Sequence, residues 1–154
     1  MLHIYTDGSS KGNPGPAGYG VIIMSEDEKT VFDILSGTAD CATNNAMELT
    51  AIIKAIEYVI ETKEKAIIYT DSSYCEKSIN EWMQNWYLNN WKNSKNKTIE
   101  NLDLISTIHS YYSKNFIHWQ VEKIKGHAGH IGNELADAAA TQNKAKLEKF
   151  LLKL

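Results

Sequence analysis

The most regular pattern in the sequence is a series of apolar residues at helical spacing between residues 44 and 61. Charged residues occupy the opposite side, so the pattern predicts an amphipathic helix with one face against a core. The apolar face comprises Leu49, Ile52, Ile53, Ile56, Val59 and Ile60. A short apolar run, Ala66–Thr70, follows and is typical of a buried strand. Because a helix of this length between two strands normally forms a crossover, this strand should lie parallel to the first strand.

Strands and helices alternate along the rest of the chain in an order that indicates an α/β protein. A glycine- and proline-rich turn over residues 8–20 and a polar hairpin loop over residues 25–29 should connect the first three strands as an antiparallel meander. The predicted strands are 3–7, 21–24, 31–35, Ala66–Thr70 and 116–124. The predicted helices are 44–61, 73–79, 81–87, 102–112 and the residues from 134 onward. We therefore expect a mixed sheet with helices on its faces.

The charge of the chain limits how it can bind nucleic acid. Its 154 residues are typical of one domain, and 43% of them are hydrophobic, which is ample for one core. The 19 acidic residues outnumber the 16 basic ones, so the molecule as a whole is not a polycation. All 16 of those basic residues are lysines, which excludes bidentate guanidinium contacts to phosphate. Any binding to nucleic acid therefore requires a local basic patch.

The cysteine content and the hydropathy of the sequence indicate in which cellular compartment the protein is expected. Cys41 and Cys75 are too few for a disulfide framework and lack metal-ligand spacing. The sequence shows neither a secretory leader nor an apolar run long enough to span a membrane. We therefore expect a cytoplasmic protein without a membrane contact.

Two aspartates occupy equivalent places at the ends of predicted strands. Asp7 follows a Tyr-Thr pair at the end of the first strand, and Asp71 follows the same pair at the end of the fourth. If these strands are parallel neighbours, both carboxylates emerge at one edge of the sheet, where α/β sheets commonly bind ligands. Taken singly, each aspartate is equally well explained as a turn former or a helix cap.

Glu48 adds a third acid to this predicted edge. It shares a helical stripe with Ile52, Ala55 and Val59, so its side chain should lie on or beside the face that packs on the sheet. An unpaired acid there is costly, and neighbouring carboxylates disfavour its ionisation further. A divalent cation bound between these carboxylates would offset both the cost of burying their charges and their mutual repulsion. Hard oxygen ligands favour Mg²⁺ or Mn²⁺ over zinc.

Five ordered segments closely resemble the ribonuclease HI family. They are TDGSSKGNPGPAGYG, TNNAMELTA, YTDSSY, the tryptophan-rich EWMQNWYLNNWK and KGHAGHIGNELAD. The resemblance extends from His3 to about Asn143, and it rests on the joint occurrence of these segments. It implies a ribonuclease H-like α/β fold in which a five-stranded mixed sheet, with three antiparallel and then two parallel strands, is flanked by helices. It also implies a single ribonuclease H domain over residues 1–154, with residues 144–154 as a C-terminal helical extension.

The resemblance implies an endonuclease that hydrolyses the RNA strand of RNA/DNA hybrids with two Mg²⁺ ions, or Mn²⁺ in their place. Asp7, Glu48, Asp71 and Asp137 match the metal-holding carboxylates of the family. The expected products carry 5′-phosphate and 3′-hydroxyl ends. His127 matches the family histidine proposed to shuttle protons or to help release product, which an ordinary histidine pKa of about 6.5 suits. Without the family, a solvated side chain explains this loop histidine better.

The same resemblance implies contacts to both strands of a hybrid. The residues that match positions along the minor groove are Gly8, Ser10, Asn13, Asn44 and Asn45. Thr43 and Asn101 match the pocket for a DNA phosphate, and Ser73 stands where many bacterial relatives have glutamine. Cys41 and Ala46 each replace a frequent arginine, which predicts a weaker grip on phosphate.

Tryptophans and lysines mark a predicted protrusion that in relatives flanks a channel for the DNA strand. The tryptophans are Trp82, Trp86 and Trp91, and the lysines that would supply local positive charge are Lys92, Lys95 and Lys97. Core packing is the alternative for Trp82 and Trp86, which are one helical turn apart. Similarly, Asn13 suits a simple turn and Asn44 a helix cap.

Residues 144–154 lie beyond the family motifs and place apolar side chains at helical spacing: Leu147, Phe150, Leu151 and Leu154. The tail is interpreted either as an extension of the last helix that packs on its own domain or as a docking helix for a protein partner or a second copy of the chain, and a monomer is expected. Two other functions stay open, a non-catalytic hybrid-binding module and a DNA-cutting relative with the same sheet. The four acids and His127 argue against the first, and the TNN segment with the tryptophans argues against the second.

Overall fold

A five-stranded sheet organises residues 1–115 and 118–154, the part of the chain that this computed structural model describes. The strands are β1 (Leu2–Ser10), β2 (Gly15–Met24), β3 (Val31–Ala42), β4 (Ala66–Thr70) and β5 (Trp119–Lys123). Their order across the sheet is β3-β2-β1-β4-β5. The first three strands pair antiparallel, whereas β1, β4 and β5 pair parallel. The predicted mixed sheet is therefore confirmed.

Helices cover the sheet and connect its strands. They are α1 (Asn44–Thr62), α2 (Ser73–Lys77), α3 (Met83–Leu88), α4 (Leu102–Asn115), α5 (Ile131–Ala140) and α6 (Lys144–Leu151). Helix α1 and helix α5 both pack on β1 and β2. None of the helices within the described ranges is long and apolar enough to cross a membrane.

Alternate residues of β1 and β2 supply two cores on opposite faces of the sheet. Ile4 and Val21 pack with α1 on one face, whereas Tyr5 and Ile22 pack with α5 on the other. The predicted apolar face of α1 is confirmed. Its fully buried members are Leu49, Ile52, Ile56 and Val59. This packing fixes both helices against β1, the strand that carries Asp7.

The first three strands are longer than the sequence pattern predicts. The expected turn over residues 8–20 is wrong, because β1 continues to Ser10 and β2 begins at Gly15, which leaves residues 11–14 as the turn. This turn contains a cis peptide bond between Asn13 and Pro14. Strand β3 continues to Ala42 instead of ending at residue 35. These extensions are held by backbone hydrogen bonds, which do not require alternating apolar and polar side chains. The side-chain pattern of the sequence therefore did not predict the extra length of the strands.

Residues 73–88 form one continuous helical path in place of the two predicted helices. A π-helical turn, Ser78–Trp82, joins α2 to α3 where the sequence suggested a break at residue 80. The predicted last strand, 116–124, is found at Trp119–Lys123, and residues 116 and 117 lie outside the described part of the chain.

The C-terminal region contains two helices instead of one extended helix. Helix α5 begins at Ile131, earlier than the predicted Glu134, and ends at Ala140. Gln142 has a positive φ of 53°, which breaks the helical path before α6 begins. The last helix is therefore not continuous, but the tail is helical as predicted and packs on the protein's own core.

Candidate active site

Asp7, Glu48 and Asp71 form an acidic cluster at the carboxyl edge of the central strands. Asp7 lies in β1, and Asp71 directly follows β4, the parallel neighbour of β1. One carboxylate oxygen from each of the three residues lies within 4.8 Å of the other two. Asp7 and Glu48 are buried, and Asp71 is half-buried. Parallel strand ends thus bring together acids that are far apart in the sequence.

Glu48 reaches this cluster because α1 starts very close to β1. Thr43 is the N-cap of α1, and its Oγ1 accepts a hydrogen bond from the Ala46 amide at 3.1 Å. A Cβ atom at Gly8 would overlap the main chain of Met47 and Glu48. The Gly8 amide donates a hydrogen bond to Oε1 of Glu48. The missing side chain of Gly8 therefore allows the approach that sets Glu48 at the end of β1.

Burial makes the acidic cluster costly to ionise. It raises the pKa of Asp7 to about 7, and the charges of Asp71 and Asp137 act in the same direction, although the hydrogen bond with Glu48 lowers it. The pKa of Glu48 lies well above its ordinary range, first because of burial and then because of its hydrogen bond with Asp7. Two carboxyl groups can hydrogen-bond to each other only while one holds a proton. A cation bound among these acids would replace that proton.

Asp137 contributes a fourth carboxylate from α5. Its charge raises the pKa of Asp7, but it lies outside the group of mutually close oxygens that Asp7, Glu48 and Asp71 form. Its Oδ2 is 2.6 Å from Nζ of Lys146. The structure thus places the four predicted acids at one edge of the sheet as a group of three with Asp137 beside Asp7.

His127 lies in the loop between β5 and α5 with a left-handed backbone, φ 54°. Its side chain is 67% exposed, and its Nδ1 is 2.8 Å from Oε1 of Glu134. This hydrogen bond and the charge of Glu134 raise the pKa of His127. The His127 amide donates to Oδ1 of Asn133 at 3.1 Å, and Nδ2 of Asn133 lies 3.5 Å from Oδ2 of Asp71. The loop is tied to the acidic cluster while the imidazole stays in solvent.

The residues predicted along the minor groove lie around the start of α1. Oδ1 of Asn13 accepts a hydrogen bond from the Asn44 amide at 3.0 Å, which ties the turn after β1 to α1. The Ser10 hydroxyl donates to a carbonyl of β3 at 2.8 Å. Asn44 is the first residue of α1 and not its cap, because Thr43 occupies that place. Asn13 and Asn44 are exposed, whereas Asn45 is half-buried.

The residues predicted near the DNA phosphate have structural partners of their own. Nδ2 of Asn101 donates to the Tyr74 hydroxyl at 3.0 Å, and Thr43 caps α1. Ser73 is exposed at the start of α2, whose N-cap is Ser72. Among the described residues no hydrogen bond joins Thr43 to Asn101. That Thr43 and Asn101 together hold a DNA phosphate stays a prediction.

The tryptophan protrusion consists of Trp82 at the end of the π-helical turn, α3 and the loop that follows α3. The rings of Trp82 and Trp86 lie 5.7 Å apart at an angle of 52°. Trp82 is 39% exposed, whereas Trp86 and Trp91 pack against the core. Trp82 and Trp86 line an open groove of about 470 Å³, together with Asn85, Asn89, Lys92, Asn93 and Ser94. Core packing thus accounts for Trp86 and Trp91 but leaves Trp82 available to a ligand.

Sequence reasoning missed three residues that contact the predicted site: Asn133, Glu134 and Lys146. Glu134 lies three residues before Asp137 on α5, a spacing that places both on one side of a helix and could have revealed it. Asn133 is 2% exposed, and a polar residue at a core position was its available signal. Lys146 had no such signal, because the break between α5 and α6 was not predicted.

The donor atoms of the acidic cluster fit a divalent metal ion. Carboxylate oxygens are the hard ligands that Mg²⁺ and Mn²⁺ prefer, and in the described part of the chain no cysteine or histidine belongs to this cluster. Acidic side chains gathered at the ends of parallel strands are found in α/β enzymes that hydrolyse phosphodiesters with divalent metals, and this is the class that the fold and the site indicate.

Comparisons with known proteins identify the family within this class. A sequence model of the RNase H family matches residues 1–145. The Ribonuclease H of Legionella pneumophila (strain Corby) is 41% identical over 140 residues, which are 90% of this chain and 93% of the relative. The Ribonuclease H of Jannaschia sp. (strain CCS1) is 42% identical over 147 residues, which are 94% of this chain and 91% of the relative. The chain therefore belongs to the RNase H family, as the five motifs predict, and is an endoribonuclease.

Solved structures show the same fold. LC11-RNase H1 in complex with an RNA/DNA hybrid aligns with a TM-score of 0.72 at 22% identity and covers 95% of this chain and 98% of that chain. RNase H1 from the halophilic archaeon Halobacterium salinarum NRC-1 aligns with a TM-score of 0.66 at 26% identity, with 92% and 95% coverage. The ribonuclease H-like fold is thus confirmed.

Proposed function

We propose that the protein hydrolyses the RNA strand of RNA/DNA hybrids with two divalent ions, Mg²⁺ or Mn²⁺, and leaves 5′-phosphate and 3′-hydroxyl ends. The observation that carries the proposal is the group of three carboxylates whose oxygens lie within 4.8 Å of one another, with Asp137 beside Asp7. Membership of the RNase H family supports the reaction class. The fold is shared with LC11-RNase H1, which was solved in complex with an RNA/DNA hybrid.

Asp7 would be shared by both ions. Asp7, Glu48 and Asp71 would hold one ion, and Asp7 with Asp137 would hold the other. When bound, such ions activate the attacking water and stabilise the departing 3′-oxygen. The protein prepares these positions through its backbone, because the Gly8 amide orients Glu48 and the sheet fixes Asp7.

His127 would exchange a proton with the product side of the reaction through Nε2. Its Nδ1 is engaged by Glu134, which leaves Nε2 on the exposed side of the ring. Because Glu134 raises the pKa of His127, a larger fraction of the imidazole is protonated near neutral pH than in an isolated histidine. The imidazole is therefore equipped to donate a proton to a leaving oxygen and regain it from solvent.

The hybrid would lie across the start of α1 and the tryptophan protrusion. Exposed amide side chains at Asn13 and Asn44 suit hydrogen bonds to base edges and 2′-hydroxyls in a minor groove. Trp82 offers an exposed aromatic face, and Lys92 in the same groove offers positive charge toward the DNA strand. Lys95 and Lys97 are also exposed nearby. Because lysine contacts to phosphate release counterions, binding should weaken as the salt concentration rises.

Four labelled substrates test this function: an RNA/DNA hybrid, double-stranded DNA, double-stranded RNA and single-stranded RNA. Each is incubated with Mg²⁺, with Mn²⁺ and with chelator. We expect cleavage of the RNA strand of the hybrid alone, only with metal, and with 5′-phosphate ends at the new termini. Hybrid binding without cleavage would instead indicate a non-catalytic module, and cleavage of double-stranded DNA would indicate a DNA-cutting relative.

We also propose that the protein acts as a monomer in the reducing cytoplasm. Leu147, Phe150 and Leu151 of α6 pack against the protein's own core, which leaves less of the tail available to a partner. Both Cys41 and Cys75 are free thiols. Light scattering after size exclusion tests the first point, and a dimer at micromolar concentration would contradict it.

A further inference from the structure

Lys146 places an ammonium group against two acids of the candidate active site. Its Nζ lies 2.6 Å from Oδ2 of Asp137 and 3.0 Å from Oε2 of Glu134. The Lys146 side chain is 22% exposed, so the contact is partly shielded from water. Lys146 lies just beyond residues 1–145, the segment that the family model matches. The contact therefore comes from the tail of this chain and not from the matched segment.

The structure holds Lys146 in position through its own helix. Oδ1 of Asn143 accepts a hydrogen bond from the Lys146 amide at 3.0 Å, which caps α6. Leu147, Phe150 and Leu151 pack against the core beneath α5. Because the backbone of α6 is anchored on both sides of this lysine, the ammonium group is presented to Asp137 by a packed helix and not by a loose end.

We propose that Lys146 is an internal cation that competes with the divalent ion on the Asp7–Asp137 side of the active site. The inference rests on the two-ion site proposed above. Asp137 contacts Nζ of Lys146 through Oδ2 at 2.6 Å, and its charge acts on the neighbouring Asp7. The ammonium group offsets the negative charge that would attract a divalent cation, and it repels that cation directly. A divalent ion therefore binds at Asp137 in one of two ways. Either Lys146 moves away, or the ion binds with the positive charge of Lys146 still nearby.

The competition is selective between the two ion positions. The carboxylate contacts of Lys146 are to Asp137 and Glu134, while the other position is built from Asp7, Glu48 and Asp71. The coupling between ion binding and the Lys146–Asp137 contact is reciprocal. If a bound ion weakens that contact by some factor, the contact weakens the affinity of Asp137 for the ion by the same factor. Lys146 should thus weaken the Asp137-dependent ion more than the other, which links metal occupancy to the docking of α6.

Mn²⁺ binding to the full chain tests the competition without measuring activity. Free Mn²⁺ is quantified by electron paramagnetic resonance at fixed pH and salt, for the unmodified chain and for Lys146→Gln, Lys146→Arg and Asp137→Asn. Lys149→Gln is the matched control, because it removes the same charge from the same helix at a residue that packs on the Phe150 ring. Asp137-dependent binding is the difference between the unmodified chain and Asp137→Asn.

We expect Lys146→Gln to tighten Asp137-dependent binding by roughly fivefold or more, while Lys149→Gln and Lys146→Arg stay close to the unmodified chain. In chelator, Lys146→Gln should also melt below Lys149→Gln, because it leaves Asp137 and Glu134 without their cation, and Mn²⁺ should raise its Tm by more. Unchanged or weaker Asp137-dependent binding in folded Lys146→Gln would overturn the competition alone. If Asp137→Asn leaves Mn²⁺ binding unaltered, the two-ion part of the proposed function is wrong, and the competition with it.

Discussion

Nδ1 of His127 and Oε1 of Glu134 lie 2.8 Å apart and join the exposed loop before α5 to the first turn of that helix. Glu134 also contacts Lys146, which in turn contacts Asp137. Four side chains thus form one connected series of charged groups between the loop and the acid on α5. The histidine identified by family resemblance is electrostatically connected to the candidate metal site through a glutamate that the motifs did not single out.

Glu134→Gln should lower the pKa of His127 toward its ordinary value. The carboxylate of Glu134 raises that pKa by accepting a hydrogen bond from the protonated ring and by its charge, and glutamine keeps the shape without the charge. The protonated fraction of His127 should therefore fall at any pH near neutrality. Nuclear magnetic resonance titration of the His127 ring measures the change. An unchanged His127 titration would show that Glu134 does not control it.

Asp7→Asn should abolish cleavage while largely preserving hybrid binding. Asp7 is the acid shared by both proposed ion positions, so its loss removes several kcal/mol of stabilisation of the reacting phosphate, on the order of a thousandfold in kcat. The amide removes a charge from a buried cluster whose acids repel one another, so the protein should remain folded. Single-turnover kinetics and the Kd for hybrid separate the two effects. Near-normal turnover with Mg²⁺ would contradict the metal assignment.

The stabilisation of the fold by Mg²⁺ should increase with pH. Burial raises the pKa of Asp7 to about 7, whereas an unfolded aspartate titrates near about pH 4. In chelator, the stability contributed by the retained proton is fully present below the unfolded pKa and is lost as pH rises toward about 7. Because Mg²⁺ replaces that proton, the difference in Tm between Mg²⁺ and chelator should grow over this window. Asp7→Asn should flatten the trend, and a pH-independent difference would contradict it.

Gly8→Ala should destabilise the fold and impair catalysis together. A Cβ at this position would overlap the main chain at the start of α1, so the helix and strand would have to separate, at a cost of about 1–3 kcal/mol. The displacement would also carry Glu48 away from Asp7. Urea unfolding and kcat measure the two effects, with Ser9→Ala as the neighbouring control. A variant as stable and active as Ser9→Ala would show that the close approach is dispensable.

Trp82→Ala and Trp86→Ala should have different consequences. Trp82 is 39% exposed beside an open groove, whereas Trp86 packs partly on the core. Loss of an exposed ring that stacks on nucleic acid should raise KM for the hybrid by roughly tenfold with little change in Tm. Loss of Trp86 should lower Tm more, because it removes core contacts. Equal effects of the two substitutions on both quantities would contradict this division.

The central part of the site could be predicted because its signals are local. Asp7 and Asp71 each end a strand, and parallel pairing of β1 with β4 follows from the length of α1. Glu48 interrupts the apolar stripe of α1. Its place in that stripe was enough to predict from the sequence that an acid lies near the sheet. The structure places these three carboxylates together at the predicted edge.

Other features depend on contacts that no local pattern marks. The extension of β3 to Ala42 rests on backbone pairing, and the orientation of Lys146 toward Asp137 depends on the turn between α5 and α6. That turn is set by the positive φ of Gln142 and by the Asn143 cap, neither of which interrupts the apolar spacing of the tail. The length of β3 and the orientation of Lys146 are therefore set by three-dimensional packing and not by the local secondary-structure propensity of the sequence.

The four acids belong to β1, α1, the residue after β4, and α5. No amino-terminal fragment that stops short of α5 can therefore carry the complete set. In the proposed mechanism, the polypeptide on the ribosome would lack its last metal-holding carboxylate until most of the domain has been synthesised, and it would not cleave a hybrid before then.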